Sequence, residues 1–403
     1  MKFLIIEQDL RVSGTSAGII SRSFLGKLRK AYPESLIDVH YIKTAATDDK
    51  LELLPVDTIV EYQVNTAVPF WLKYVNKLYW RLFNVSLVEE SFVKKYTSII
   101  SKIEYEKYDH IFIRSAGIGH EVILALENLP ILSKAIVNFH DPYPIPWYVG
   151  TTLKPTKLDF YRLEKMMKVV EKAKVCISTA FCMSHDLEHL YSSKKPFLTL
   201  SHQYDPSVFA KEETGVVRVK EKPVSISYHG ALMFGRNIEN LIKAYSELVR
   251  SDKRYEVNTE LILRVKGNEV ARYKELYGSA LNIKFLDIVN FANSSYEQIH
   301  QSDIVIILEN GPHYSNILVG KAPFLASINK AVLCISPKKS ELRNIITDDR
   351  CIATMDDVGE IQLKLKQLID NELDKGEAIK PFGDFFSEEN FKAQLDQVLS
   401  QAT

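Results

Sequence analysis

The chain has 403 residues, 46% of them hydrophobic and 25% charged. At roughly 150 residues per domain that is enough for two domains with full cores, which excludes global disorder and any need for disulfide or metal staples. Lys+Arg and Asp+Glu both number 51, so the net charge is zero, and nucleic-acid binding through bulk positive charge is excluded.

Short apolar runs alternate with helical patterns along the chain. Phe3 to Ile6 reads as a buried strand, Ser13 to Gly18 as a small-residue loop and Ile19 to Tyr32 as an amphipathic helix. Strands follow at Ile37 to Ile42 and Asp109 to Ile113. A loop at Arg114 to Gly119 leads to a helix over His120 to Leu129. A strand at Ala135 to Phe139 ends on His140-Asp141-Pro142; a helix at Leu158 to Lys172 and a strand at Lys174 to Ser178 come next. Ser201 to Lys222 is polar and reads as a linker. The alternation then restarts with a strand at Val224 to Tyr228, a helix at Asn237 to Arg250 and a strand at Glu260 to Val265 before Gly267. Further strands are expected at Ile283 to Leu286, Ile304 to Leu308, Ala331 to Ser336 and Cys351 to Ala353, and a terminal helix at Ser387 to Ser400. Continuous Val/Ile/Leu strands between helices indicate parallel sheets covered on both faces. The expected fold class is α/β, with two Rossmann-like parallel-sheet domains facing a cleft. The expected divisions are 1–205, 206–386 and a terminal helix over 387–403 that packs back on the first domain.

The apolar start is charged by Glu7, too short for a signal peptide, and no window approaches 18 apolar residues. A cytoplasmic location is expected. Cys176, Cys182, Cys334 and Cys351 form no C-x-x-C pair and read as reduced, buried thiols, without metal-ligand spacing.

In open parallel sheets, ligands bind beyond the strands' carboxyl ends. The loop holding Gly14, Thr15 and Gly18 lets backbone approach a ligand beside a helix start, although it lacks the dinucleotide fingerprint. His140 can act as a base or hydrogen-bond a sugar hydroxyl, with Asp141 orienting it. Arg114 and His120, beyond the neighbouring strand, are candidate acceptor contacts. In the second half, Gly230-Ala231-Leu232-Met233-Phe234-Gly235-Arg236-Asn237 joins a strand to a helix, and Arg236 there suits a diphosphate. Gly267 closes the next strand. Glu309 and Asn316 lie in one later loop, and Lys321 opens a helix as a second anion-binding element. Two such elements in one domain point to a diphosphate-bearing ligand.

The Gly230–Asn237 segment resembles the G-x5-R-N block of GT-B glycosyltransferases, most like the retaining family-4 enzymes of bacterial surface polysaccharide synthesis. Gly320-Lys321-Ala322-Pro323, with Lys330, is similar to that family's G-K-x-P block. Ser201 to Phe209 looks like its interdomain stretch. The resemblance implies a metal-independent hexosyltransferase without a cofactor. It would move sugar, with retention, from a nucleotide-diphosphate donor of UDP or GDP type to a hydroxyl of a glycan or lipid-linked glycan acceptor. It assigns Arg236 to the donor diphosphate and maps Lys321 beside it; with His140 and Asp141, read from the strand end above, these are the candidate catalytic residues. Two departures stand out. The acidic pair usual in the family is Asn316 and Phe324 here, and the arginine usual after the strand glycine is Ala231. A nucleotide-sugar epimerase on the same fold and a non-catalytic GT-B-like partner are the rival readings.

Residues 70–83 stand apart, rich in aromatics and holding Lys73, Lys77 and Arg81 but no acid. As a helix they form one basic stripe. This suits an interfacial helix on the anionic inner face of a membrane, or a core helix with snorkelling lysines.

Overall fold

The computed structural model describes every residue except 13–15, 46, 48, 118, 145–150, 152, 210–216 and 403. The chain forms two compact units, the first carried by residues up to the 210 region together with Glu388–Thr403, the second by Lys211–Ser387.

In the first unit, β1 (Lys2–Glu7), β2 (Leu36–Lys43), β3 (Thr58–Gln63), β4 (His110–Arg114), β5 (Ala135–Phe139), β6 (Val175–Ser178) and β7 (Phe197–Thr199) form one sheet. Its order is β3-β2-β1-β4-β5-β6-β7, and every pairing is parallel. The second unit holds β8 (Val224–Ala231), β9 (Thr259–Lys266), β10 (Ile283–Leu286), β11 (Ile304–Leu308), β12 (Tyr314–Ser315), β13 (Ala331–Ser336), β14 (Lys339–Ser340) and β15 (Ile352–Thr354). Six of these form a second parallel sheet in the order β10-β9-β8-β11-β13-β15, while β12 pairs only with β14. The central strands are apolar because helices cover both faces: Phe3 to Ile6 and Ile304 to Leu308 are all buried. The order in which successive strands are added reverses once in each sheet, between β1 and β4 and between β8 and β11. Such switch points leave a crevice at the carboxyl edge.

The sequence does not signal β3 or β7. The first is an exposed edge strand and the second has three residues. The helix expected over His120 to Leu129 is only Glu121–Leu124, then tightens into i→i+3 turns before Pro130. The polar run from Ser201 is not a solvated linker as far as Phe209. Asp205 is fully buried and pairs with Lys30 at 2.9 Å. The buried Arg22 donates to Val208 O at 2.7 and 3.1 Å and to Leu10 O, Asp49 O and Lys50 O. Among the described residues no helix is long and apolar enough to cross a membrane.

The last helix, Glu388–Ala402, completes the first unit's core with Phe391, Leu395, Val398 and Leu399, and Phe391 meets Phe24 edge-on at 6.4 Å. Phe391→Ala is expected to destabilise the first unit by about 3–5 kcal/mol, from lost burial plus a cavity. A denaturant titration against wild type measures it.

Candidate functional site

At the second unit's switch point the chain approaches itself with no room for side chains. A Cβ at Gly230 would sit 2.6 Å from Lys321 Nζ and 3.1 Å from the Tyr228 hydroxyl. The Lys321 ammonium thus lies against bare backbone, 4.7 Å from the Tyr228 ring centroid. Gly235, at φ +76°, comes so close to Gly311 that a Cβ would meet its carbonyl oxygen at 2.6 Å, and Gly311 N donates to Phe234 O at 3.1 Å. This backbone contact ties the loop after β8 to the loop after β11. It places Arg236 beside Asn310, whose Oδ1 accepts from Arg236 Nε at 3.1 Å; Arg236 Nη1 donates to Ala231 O at 3.3 Å.

Arg236 and Lys321 are therefore two half-buried cations held by neutral groups, and neither is ion-paired with a described carboxylate. Burial, with the Arg236 charge adding to it, pushes the Lys321 ammonium down to about 7. Behind them His229 is buried, its Nδ1 2.9 Å from Ser294 Oγ. Burial and the nearby Lys321 hold it at about 3, so its ring is neutral. The next arginine, Arg264, is bound to Glu297 through Nε and Nη2 at 2.5 and 2.6 Å.

Other expected residues serve the chain itself. Gly267, at φ +148°, faces Leu232 O, where a Cβ would lie at 2.9 Å. Asn237 Oδ1 accepts from Glu239 N and so caps the start of the helix Glu239–Ser251. Glu309 is fully buried, and its Oε1 accepts from Leu342 N at 3.5 Å. Burial raises its carboxyl to about 7, partly offset by the Ser336 and Ser340 hydroxyls. Asn316 is buried just after β12. Lys321 precedes a helix of six residues, Ala322–Ser327, and Pro323 removes one N–H from its first turn. Phe324 is a core residue, edge-on to Phe291 at 6.1 Å.

At the first unit's switch point Glu7 and Arg114 are register partners. Arg114 Nε donates to Glu7 Oε1 at 2.5 Å, and its guanidinium lies 3.9 Å from the Phe24 ring centroid. Both are buried, so Arg114 is an internal charge; burial raises the Glu7 carboxyl to about 7 against the pull of Arg114. His140, one residue beyond β5, is 2% exposed, and neither ring nitrogen has a hydrogen-bond partner among the described residues. His202 meets it edge-on at 5.7 Å. Burial, then the Arg114 charge, drives His140 well below its ordinary range and His202 to about 3. A neutral imidazole offers one donor and one acceptor, and leaving both buried and unmet is costly. The ring is thus suited to an uncharged hydroxyl.

His120 is turned to the chain, with Nε2 3.2 Å from Asp141 O and its ring 4.8 Å from Tyr143. Asp141 Oδ2 rests 3.2 Å from the point where a Cβ on Gly117 would lie. Gly18 faces Arg11 and Asp9, its Cβ position only 2.3 Å from Arg11 O. Gly14 and Thr15 lie outside the described residues. Sequence reasoning passed over Tyr228, His229, Glu7 and His202. Glu7 ends β1 at the first switch point, and Tyr228 and His229 lie in the last half of β8 just before Gly230, the one signal that could have found them.

No family model matches the chain, and no curated protein matches it in sequence. Solved structures do match it in shape. The lipopolysaccharide outer core galactosyltransferase WaaB, in its apo form, superposes with a TM-score of 0.59 at 11% identity, covering 100% of both chains. A glycosyltransferase from Rickettsia africae gives 0.55 at 13%, over 100% of this chain and 95% of that one. The UDP-GlcNAc 2-epimerase from Neisseria meningitidis, bound to UDP-GlcNAc, gives 0.54 at 14%, over 99% and 100%. At such identities the likeness is one of fold. The chain has the GT-B architecture, two Rossmann-like parallel-sheet domains, found in glycosyltransferases and in UDP-GlcNAc 2-epimerases alike.

Proposed function

We propose that the protein is a glycosyltransferase that takes a hexose-like unit from a nucleotide-diphosphate sugar of UDP or GDP type. The acceptor is a hydroxyl of a glycan or lipid-linked glycan, made at the inner face of a membrane for surface polysaccharide. The observation that carries this reading is a pair of cations at one strand end, Lys321 against bare Gly230 and Arg236 on Ala231 O and Asn310, without a described counter-charge. Two desolvated cations repel each other, and a diphosphate relieves that repulsion. As the glycosidic bond breaks, negative charge grows on the leaving diphosphate, and fixed cations stabilise it without reorganising. The departing phosphate can take the acceptor proton, as a retaining reaction requires. His140, held neutral, then orients a sugar hydroxyl and does not act as base.

An epimerase is the second reading, favoured by the likeness to the Neisseria enzyme. It needs acid–base carboxylates at the donor. The candidates are Asp141, in the first unit, and Glu309, whose Oε1 accepts from Leu342 N. Incubating nucleotide sugar alone separates the two: a change of configuration without acceptor supports the epimerase.

Binding adds stability as RT ln(1 + [L]/Kd), about 2.7 kcal/mol at a hundredfold excess over Kd. Among UDP, GDP, dTDP, CDP and ADP, a thermal-shift panel is expected to show a selective response to UDP or GDP; silence toward all five would favour a non-catalytic role. Arg236→Ala is expected to remove about 2–4 kcal/mol of transition-state stabilisation, read in kcat/KM, and to leave the melting temperature nearly unchanged.

Lys321 yields two opposed effects. Its folded-state value of about 7 lies below its ordinary 10.5. Between these values the unfolded chain holds more protons than the folded one, so stability rises with pH across that window. Lys321→Met is expected to remove that rise and to add about 1 kcal/mol or more at pH 7, measured by denaturant titrations across pH. The same variant is expected to lose diphosphate binding. In wild type, binding re-protonates Lys321, so calorimetry above pH 7 is expected to show proton uptake and affinity falling as pH rises.

A further inference from the structure

The helix Phe70–Phe83 inverts the usual amphipathic arrangement. A surface helix buries its apolar stripe, yet no residue of this one is buried. Leu72 and Asn76 are its only partly covered positions, and Asn76 Oδ1 accepts from Val88 N at 3.2 Å, fixing that side to the next helix, Leu87–Ile100. At about 100° per residue Trp71, Tyr74, Val75, Leu78 and Leu82 share one stripe, centred about a third of a turn from the covered side. All five are exposed, Trp71 at 64% and Leu82 at 63%. Lys73, Lys77 and Arg81 run alongside at four-residue spacing. The helix holds no acid, and none of the three is ion-paired among the described residues.

We infer that this helix docks the protein on an anionic lipid bilayer. The stripe of Trp71, Tyr74, Leu78 and Leu82 lies at the acyl boundary, and the three cations meet headgroup phosphates. A contiguous exposed apolar face marks an interaction site, and its flank of unpaired cations selects an acidic partner. A second copy of the chain fits poorly, since a two-fold contact through this face sets the basic stripe beside its own copy. Interfacial helices combine an apolar face, flanking Lys or Arg, and aromatic rings at headgroup depth.

The test is flotation of the full chain with phosphatidylcholine vesicles, with and without phosphatidylglycerol. It needs no donor or acceptor, so its outcome is independent of glycosyl transfer. The wild type is expected to float with the anionic vesicles, to stay behind with the neutral ones, and to be released as salt rises. K73Q/K77Q/R81Q is expected to weaken partitioning on the order of a hundredfold. W71S/L78S/L82S is expected to lose binding at a salt concentration where wild type still binds. None of these side chains is buried, so melting temperatures serve as the folding control. Wild type left unbound by both vesicle types overturns the inference. So does a dimer in sedimentation that W71S/L78S/L82S dissociates, which would assign the face to a second copy.

Discussion

The second unit's carboxyl edge depends on the absence of one side chain. Lys321 Nζ occupies space that any Cβ at position 230 would claim. That space lies at the end of β8, where the strand order reverses, so the ammonium is delivered to the point at which an open parallel sheet binds ligands. The second cation arrives by a related device, since Gly235 and Gly311 let two loops touch through backbone and carry Arg236 to Asn310. Both cations are oriented by uncharged acceptors or by an aromatic face. An acidic partner would hold them more firmly and would also cancel the charge a diphosphate needs. Local stability and electrostatic readiness thus oppose each other here, and the depressed lysine records the conflict.

The first unit handles polarity in the opposite way. Its switch-point arginine is hydrogen-bonded to its register partner Glu7 and roofed by Phe24. The histidines beyond it are kept uncharged by burial and by that arginine. One unit ends in uncompensated positive charge, the other in neutral imidazole. Those are the two chemistries that a charged donor and an uncharged hydroxyl acceptor require, which is why the proposed roles divide between the units as they do.

Much of this was legible in the sequence because buried parallel strands are continuous apolar runs. β1, β4, β5, β8 and β11 announce themselves, while the exposed β3 and the three-residue β7 carry too little pattern. The site is harder to read for a specific reason. A glycine after a strand looks the same whether a ligand or the chain's own backbone fills its bare face. Gly230 faces an ammonium, whereas Gly267 faces Leu232 O and Gly18 faces Arg11 O. An arginine after a strand is equally ambiguous: Arg236 has only neutral partners and Arg114 is bound to a carboxylate. The Phe70–Phe83 segment was ambiguous too, because composition gives a basic and an apolar stripe without saying which side the protein covers. The partial covering of Leu72 and Asn76 answers that.

Phe324 constrains the proposed chemistry most sharply. Its ring packs on Phe291 within the core, so this position, acidic in the family the chain resembles, supplies no carboxylate to the donor. On the proposed function, the donor is then held chiefly through its diphosphate, by Arg236 and Lys321. A site that grips by diphosphate charge holds the released nucleotide about as firmly as the donor, because that charge is retained and increased when the sugar leaves. Turnover then requires a means of weakening the grip. A lysine that titrates near neutrality is such a means. Burial holds it near 7 in the empty site and a bound diphosphate favours its charged form, so the grip weakens as bulk pH rises.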